Sequence, residues 1–201
     1  LALDAAADAG PPPAAKAGEP PVLARPSGAV TARDVAITWS VRESFINYLN
    51  GFGGSVSASG GAKKGKARGE ARLVYDYRFR PYAGRSWHDR ASDTTALYGR
   101  GTVRFRLAAH GIDLSVSDPE VELNGADSRV IFTVRERGGE ARREVVMKLA
   151  LVPKARGRGG SVTYEMLPGS IPEGEATSLF AGFYQPGAEF GSMTVTFRPE
   201  G

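Results

Sequence analysis

Apolar and polar residues alternate with a period of two along most of this chain. Leu73, Tyr75, Tyr77 and Phe79 alternate with Val74, Asp76, Arg78 and Arg80, the pattern of a half-buried strand. Val103, Phe105 and Leu107 alternate with Arg104 and Arg106, and after Ala109-His110-Gly111 the alternation resumes as Ile112, Leu114 and Val116. Val35 and Ile37 mark a strand from Val30 to Trp39, and a small Gly-flanked strand follows within 53–61. Asp118-Pro119 predicts a turn, and Asn124-Gly125 is the strongest hairpin dipeptide present. Residues 129–137 and 142–152 pair across Gly138-Gly139, and 161–167 and 193–197 add further strands. The fold class predicted is mainly β: an antiparallel β-sandwich or barrel-like sheet of about nine to eleven strands, with one or two short α-helices.

The period changes once, between Trp39 and Gly51. Val41, Phe45, Tyr48, Leu49 and Phe52 recur at spacings of three and four and so share one helical face. Ser40 and Glu43 have capping-box spacing, and Gly51 stands where a helix commonly stops in a left-handed turn. On periodicity alone Tyr48 is a core aromatic whose hydroxyl stays bonded or wet. Ser44 lies one turn before it. A lone helix among strands must lie on the sheet or across its end, a natural place for a site. Residues 172–184 predict a second short helix or an irregular turn.

Composition narrows the chemistry. A chain of 201 residues with 41% hydrophobic residues suffices for one domain with a real core. Residues 1–28 are rich in Ala, Pro and Gly without apolar period, which predicts a flexible or polyproline-like tail before a domain over 29–201. No stretch approaches the length of a membrane span. There is no Cys, and His88 and His110 are the only histidines, which excludes a disulfide framework and the common structural zinc sites. No G-x-S-x-G motif, Ser/His/Asp pattern or spaced carboxylate pair signals an enzyme.

The net charge is +4. Much of the excess sits in two Gly-punctuated loops, Lys63–Arg72 and Lys154–Arg158, which read as solvated hairpin tips. Neither carries the interleaved aromatics of a nucleic-acid surface, so no nucleic-acid partner is expected. Residues 81–96 predict a long loop, either a mobile surface segment or one whose Trp87 and His88 roof a pocket.

The run Trp39-Ser40-Val41-Arg42-Glu43-Ser44-Phe45-Ile46-Asn47-Tyr48 resembles the opening of the HtaA-type haem-binding domain of actinobacterial secreted and surface haem-uptake proteins. Val103 to Val121, with its strand ending at His110-Gly111, is similar to a second signature of that family, and Ala181 to Gly187 to a third. Together these span about 35–198.

The resemblance implies an extracellular haem-binding protein, secreted or at the cell surface, that captures ferric haem (heme b) and passes it on. Tyr48 is then the axial iron ligand, with His110 bonded to its phenolic oxygen. Ser44 and Tyr184 would bond the propionates, and Phe45, Phe183 and Phe52 would wall the disc unless they are ordinary core. Implied partners are a haem donor protein and a downstream haem-transport protein, and a membrane only through an anchor outside this chain. The chemistry is coherent: a phenolate is a hard donor favouring ferric iron, and a neighbouring acceptor assists loss of a proton that a free phenol holds to about pH 10. Ala109 departs from the family's usual Gly before the His, and the 81–96 loop looks long. The alternative is an extracellular interaction β-domain using the same scaffold without haem.

Overall fold

The strand Val30–Val41 (β1) sets the frame, because it is hydrogen-bonded along both edges. The computed structural model describes residues 19–173 and 184–201. Within these, β1 leads directly into a single α-helix, Glu43–Gly51 (α1). Next come β2 (Ser55–Ser59), β3 (Lys63–Lys64), β4 (Asp76–Pro81), β5 (Trp87–Asp89), β6 (Thr94–Arg100) and β7 (Thr102–Leu107). The remaining strands are β8 (Ile112–Leu123), β9 (Arg129–Glu136), β10 (Arg142–Leu149), β11 (Ala155–Arg156), β12 (Val162–Ser170) and β13 (Glu189–Pro199). Strands dominate the described residues. All belong to one sheet, which runs β2-β7-β8-β9-β10-β12-β13-β1-β5-β6-β4-β3. Extra pairings of β6 with β8 and of β1 with β4 bring this path back on itself, which gives the barrel-like form. The thirteen strands exceed the expected number because β3, β5 and β11 are two or three residues long, too short to show alternation.

The two faces of β1 show how the core is filled. Val35, Ile37, Trp39 and Val41 all point inward and are buried. Ala32 is buried out of phase with them, because a bulge between Arg33 and Ala36 inserts a residue and Asp34 takes a positive φ of 50°. Trp39 is fully buried among Phe105, Phe132 and Phe190, at ring separations of 6.0, 5.3 and 6.4 Å. Phe45 extends this cluster from α1, packing at 5.3 Å from Phe105 and 5.5 Å from Phe190.

Several local expectations are corrected. Ser40 is not a helix cap: it lies in β1, opposite Ser192 of β13 and Asp76 of β4. Two sheet ladders outcompete one local hydroxyl bond, so Arg42 occupies the N-cap without a side-chain cap. The left-handed residue after α1 is Gly53 (φ 75°), not Gly51. The Gly53 N–H donates to Asn50 O at 3.1 Å and the Gly54 N–H to Leu49 O at 2.7 Å, the paired bonds of a Schellman stop. Asp118-Pro119 is no turn but a bulge within β8, where Asp118 has φ 51° and the register against β9 shifts. The 81–96 segment is no surface loop either: it holds β5 and the start of β6, and Trp87 and His88 are 3% and 8% exposed. Trp87, Ala96 and Tyr98 form a second small core with Leu23, Ala29 and Tyr82. Leu23 shows that the segment from residue 19 is held on the domain: its N–H donates to Glu122, and Arg129 donates to Pro21 O at 2.9 Å. The helix or turn expected over 172–184 falls mostly on 174–183, outside the described residues.

Buried His88 carries a pH prediction. Its Nδ1 lies 2.9 Å from Thr95 Oγ1 in the sheet. Burial lowers its pKa below the ordinary 6.5; Asp93 and Asp89 pull it up, while Lys154 and Arg90 push it further down. With the folded pKa below the unfolded one, the unfolded chain binds more protons in the window between them, so stability falls as pH drops below 6.5. Urea denaturation at pH 7.5 and 5.5 should show a smaller loss on acidification for His88→Gln than for the unaltered chain. Equal losses would mean that the fold tolerates the imidazolium.

Candidate functional site

The exposed side of α1 carries residues at every fourth position: Ser44, Tyr48 and Phe52. This spacing places them on one line along the helix. The opposite line, Phe45, Ile46 and Leu49, is buried in the core. The face expected from periodicity therefore splits. Phe45, at 1% exposure, supports the helix from beneath rather than walling a ligand, while Phe52 stands 57% exposed. An exposed Phe at the end of a helix leaves apolar area facing solvent that burial elsewhere would have removed.

His110 reaches this stripe from the β7–β8 connection. Residues Ala108–His110 form one 3₁₀ turn, closed by Gly111 at φ 67°. Arg137 clamps the turn, its Nε donating to Gly111 O at 3.0 Å and its backbone N–H to Asp113 O at 2.7 Å. The turn is drawn against α1 by a close approach at Gly54, where a Cβ would stand 2.7 Å from Arg106 O and 2.8 Å from Leu49 O. Only glycine fits there, so the helix end and the β7–β8 connection stay in contact.

This geometry brings the Tyr48 hydroxyl onto His110 Nδ1 in a hydrogen bond. The three rings form one exposed patch: Tyr48 to Phe52 at 5.0 Å, Tyr48 to His110 at 5.4 Å and Phe52 to His110 at 4.7 Å. The bond couples a phenol oxygen to an imidazole nitrogen.

A polar end lies one helical turn from Tyr48, about 6 Å along the axis. Ser44 Oγ is 3.1 Å from Tyr184 OH, and Arg42 Nε donates to Ser44 Oγ at 2.9 Å. The Arg42 guanidinium also lies over the Tyr184 ring at 4.6 Å, and that ring packs on Phe190 at 5.2 Å. The sequence reading named Ser44 and Tyr184 but not Arg42. Its signal was available: a cation two residues before Ser44, at the helix start, where charge serves a ligand better than it serves the helix dipole.

The structure thus brings together Tyr48 with His110, and Ser44 with Tyr184, along one exposed helix face. Phe45 lies beneath that face and Phe183 outside the described residues. Trp87 and His88 belong to the sheet, paired with Thr31 and Val30 of β1. Among the described residues no three His, Asp or Glu side chains gather as a metal cage.

The family model Htaa matches residues 34–196. Among solved structures, the C-terminal domain of HtaA from Corynebacterium glutamicum is similar at 20% identity, over 84% of this chain and 97% of that domain, with a TM-score of 0.64. The N-terminal domain of the same protein is similar at 20% identity, over 85% and 99%, with a TM-score of 0.62. The heme binding protein HtaB of that organism is similar at 16% identity, over 86% and 95%, with a TM-score of 0.56. At such identities the likeness is one of fold. No curated protein sequence matches.

Proposed function

The chain belongs to the HtaA family, and we propose that it binds ferric haem (heme b), with the Tyr48 phenolate as axial ligand and His110 bonded to the same oxygen. The observation that carries this reading is the hydrogen bond from Tyr48 to His110 Nδ1 inside an exposed aromatic patch. The similar fold of HtaB, a heme binding protein, supports it. A single phenolate oxygen would suit an iron that arrives already held by a porphyrin. Bound haem would supply a Lewis-acidic iron for the Tyr48 oxygen, and His110 Nδ1 would hold the hydrogen bond to that same oxygen. Phe52 offers an apolar face to the disc. Ser44 and Tyr184 offer hydroxyls, and Arg42 a cation, to the propionates.

In this reading the chain is a carrier and not a catalyst. It acts outside the cell or at its surface, taking haem from a donor protein and giving it to a transport protein. Haemin titrated into the protein should saturate at one equivalent and produce a high-spin ferric tyrosinate spectrum; no saturable binding would defeat the proposal. His110→Ala should raise the rate of haem transfer to apomyoglobin about 10–100-fold, the usual cost of losing a group that holds a metal ligand. Transfer at the unaltered rate would remove His110 from the site.

A further inference from the structure

A second cleft, of about 450 Å³, is walled by Arg80 of β4, Arg100 of β6, Asp118 and Glu120 of β8 and Arg143 of β10, together with Arg85, Tyr82 and Tyr98. This volume is within the usual range for small-molecule sites, about 300–1,000 Å³. The acidic side chains are already engaged. Glu120, 4% exposed, accepts from the Tyr98 hydroxyl at 3.0 Å and is ion-paired with Arg143. Asp118 accepts the Gly101 N–H at 2.9 Å.

The remaining cations are held differently. The Arg100 guanidinium lies 3.6 Å over the Tyr82 ring. Arg85 lies 4.9 Å from the same ring and 4.6 Å from that of Tyr98. Among the described residues, none of Arg80, Arg85 and Arg100 has a carboxylate partner. Two guanidiniums therefore share one tyrosine. The ring faces attract each of them, but the like charges repel each other and neither is ion-paired among the described residues. Stacking also fixes the donors, because a guanidinium lying on a ring must aim its N–H groups sideways rather than into it. The arrangement is a pair of half-buried, pre-oriented cationic forks in a concave site.

We infer that this cleft binds a small anion bearing phosphate groups. A carboxylate offers two oxygens in one plane and satisfies one fork. A phosphate group offers tetrahedral oxygens and up to two charges, enough to accept from two guanidiniums at once. The site is separate from Tyr48 and shares no residue with it.

The test uses inorganic pyrophosphate at constant ionic strength, titrated into the whole chain and followed by amide chemical shifts. Saturable shifts centred on Tyr82, Tyr98 and Gly99 are expected, with an affinity about tenfold weaker in Arg100→Gln, as for loss of one charge-assisted pair. The double variant Arg85→Gln/Arg100→Gln should lose saturation. Arg85→Lys/Arg100→Lys keeps the charge and the packing stems, and should bind between these limits because it lacks the forks. A parallel arm adds vesicles containing phosphatidic acid. Binding to these but not to phosphatidylcholine vesicles, with the same dependence on Arg85 and Arg100, assigns the phosphate to a lipid headgroup. Shifts that spread over the surface without saturating, or that persist unchanged in the double Gln variant, overturn the inference.

Discussion

Tyr48→Phe abolishes the tyrosinate spectrum and weakens haemin binding by more than about a hundredfold: this is the largest functional effect expected of any single substitution here. Losing a group that holds a metal ligand typically costs about 10–100-fold, and removing the ligand itself should exceed that. The variant isolates one oxygen. The ring remains, so its contacts with Phe52 and His110 survive, and Tyr48 is only partly buried, so the fold loses little. Thermal unfolding gives an independent reading. A ligand bound only by the folded state stabilises it by about 2.7 kcal/mol at a concentration one hundred times the dissociation constant. Haemin should therefore raise the midpoint of the unaltered protein, and at the same concentration raise that of Tyr48→Phe far less. Equal binding and equal stabilisation in both would place the iron ligand elsewhere.

What the sequence disclosed of this site, and what it hid, follows from the range of the interactions involved. Tyr48, Ser44 and His110 are singled out by the resemblance of their local runs to the HtaA-type domain; the helix period alone makes Tyr48 a core aromatic. Their pairing across 62 residues is a tertiary fact, set by the Schellman stop at Gly53 and the contact at Gly54. The spacing also does not separate Phe45, which is buried, from Phe52, which is exposed. Both obey the same three-four spacing, and the axis of the buried stripe depends on how α1 is laid against β7, which periodicity does not encode. The β-architecture was legible wherever alternation ran for five residues or more. It failed at 81–96, because Thr94, Thr95, Ala96, Leu97, Tyr98 and Gly99 are buried on both sides. A strand covered on both faces shows no alternation. It failed at Asp118-Pro119 because a bulge and a turn use the same residues, and only pairing to β9 distinguishes them.

The same reasoning identifies the residue whose loss should damage the fold most. Trp39→Ala is expected to cost about 3–5 kcal/mol, the range for deleting a fully buried large aromatic. Trp39 lies opposite Met193 on one edge of β1 and Tyr77 on the other. Its ring backs Phe105 and Phe190, on which Phe45 of α1 rests. A void there removes the floor under the helix that presents Tyr48. Its indole Nε1 is buried without a hydrogen-bond partner among the described residues, which makes the conservative variant informative. Trp39→Phe loses part of the ring volume but also removes an unsatisfied donor, whose burial costs about 1–3 kcal/mol. The two changes oppose each other, so Trp39→Phe should cost under about 2 kcal/mol. Urea denaturation of the three proteins without haem decides it. A large fall in midpoint for Ala with a small one for Phe supports packing as the source of stability. Equal falls would mean that the indole N–H is bonded in solution and that the residue is held for its polarity.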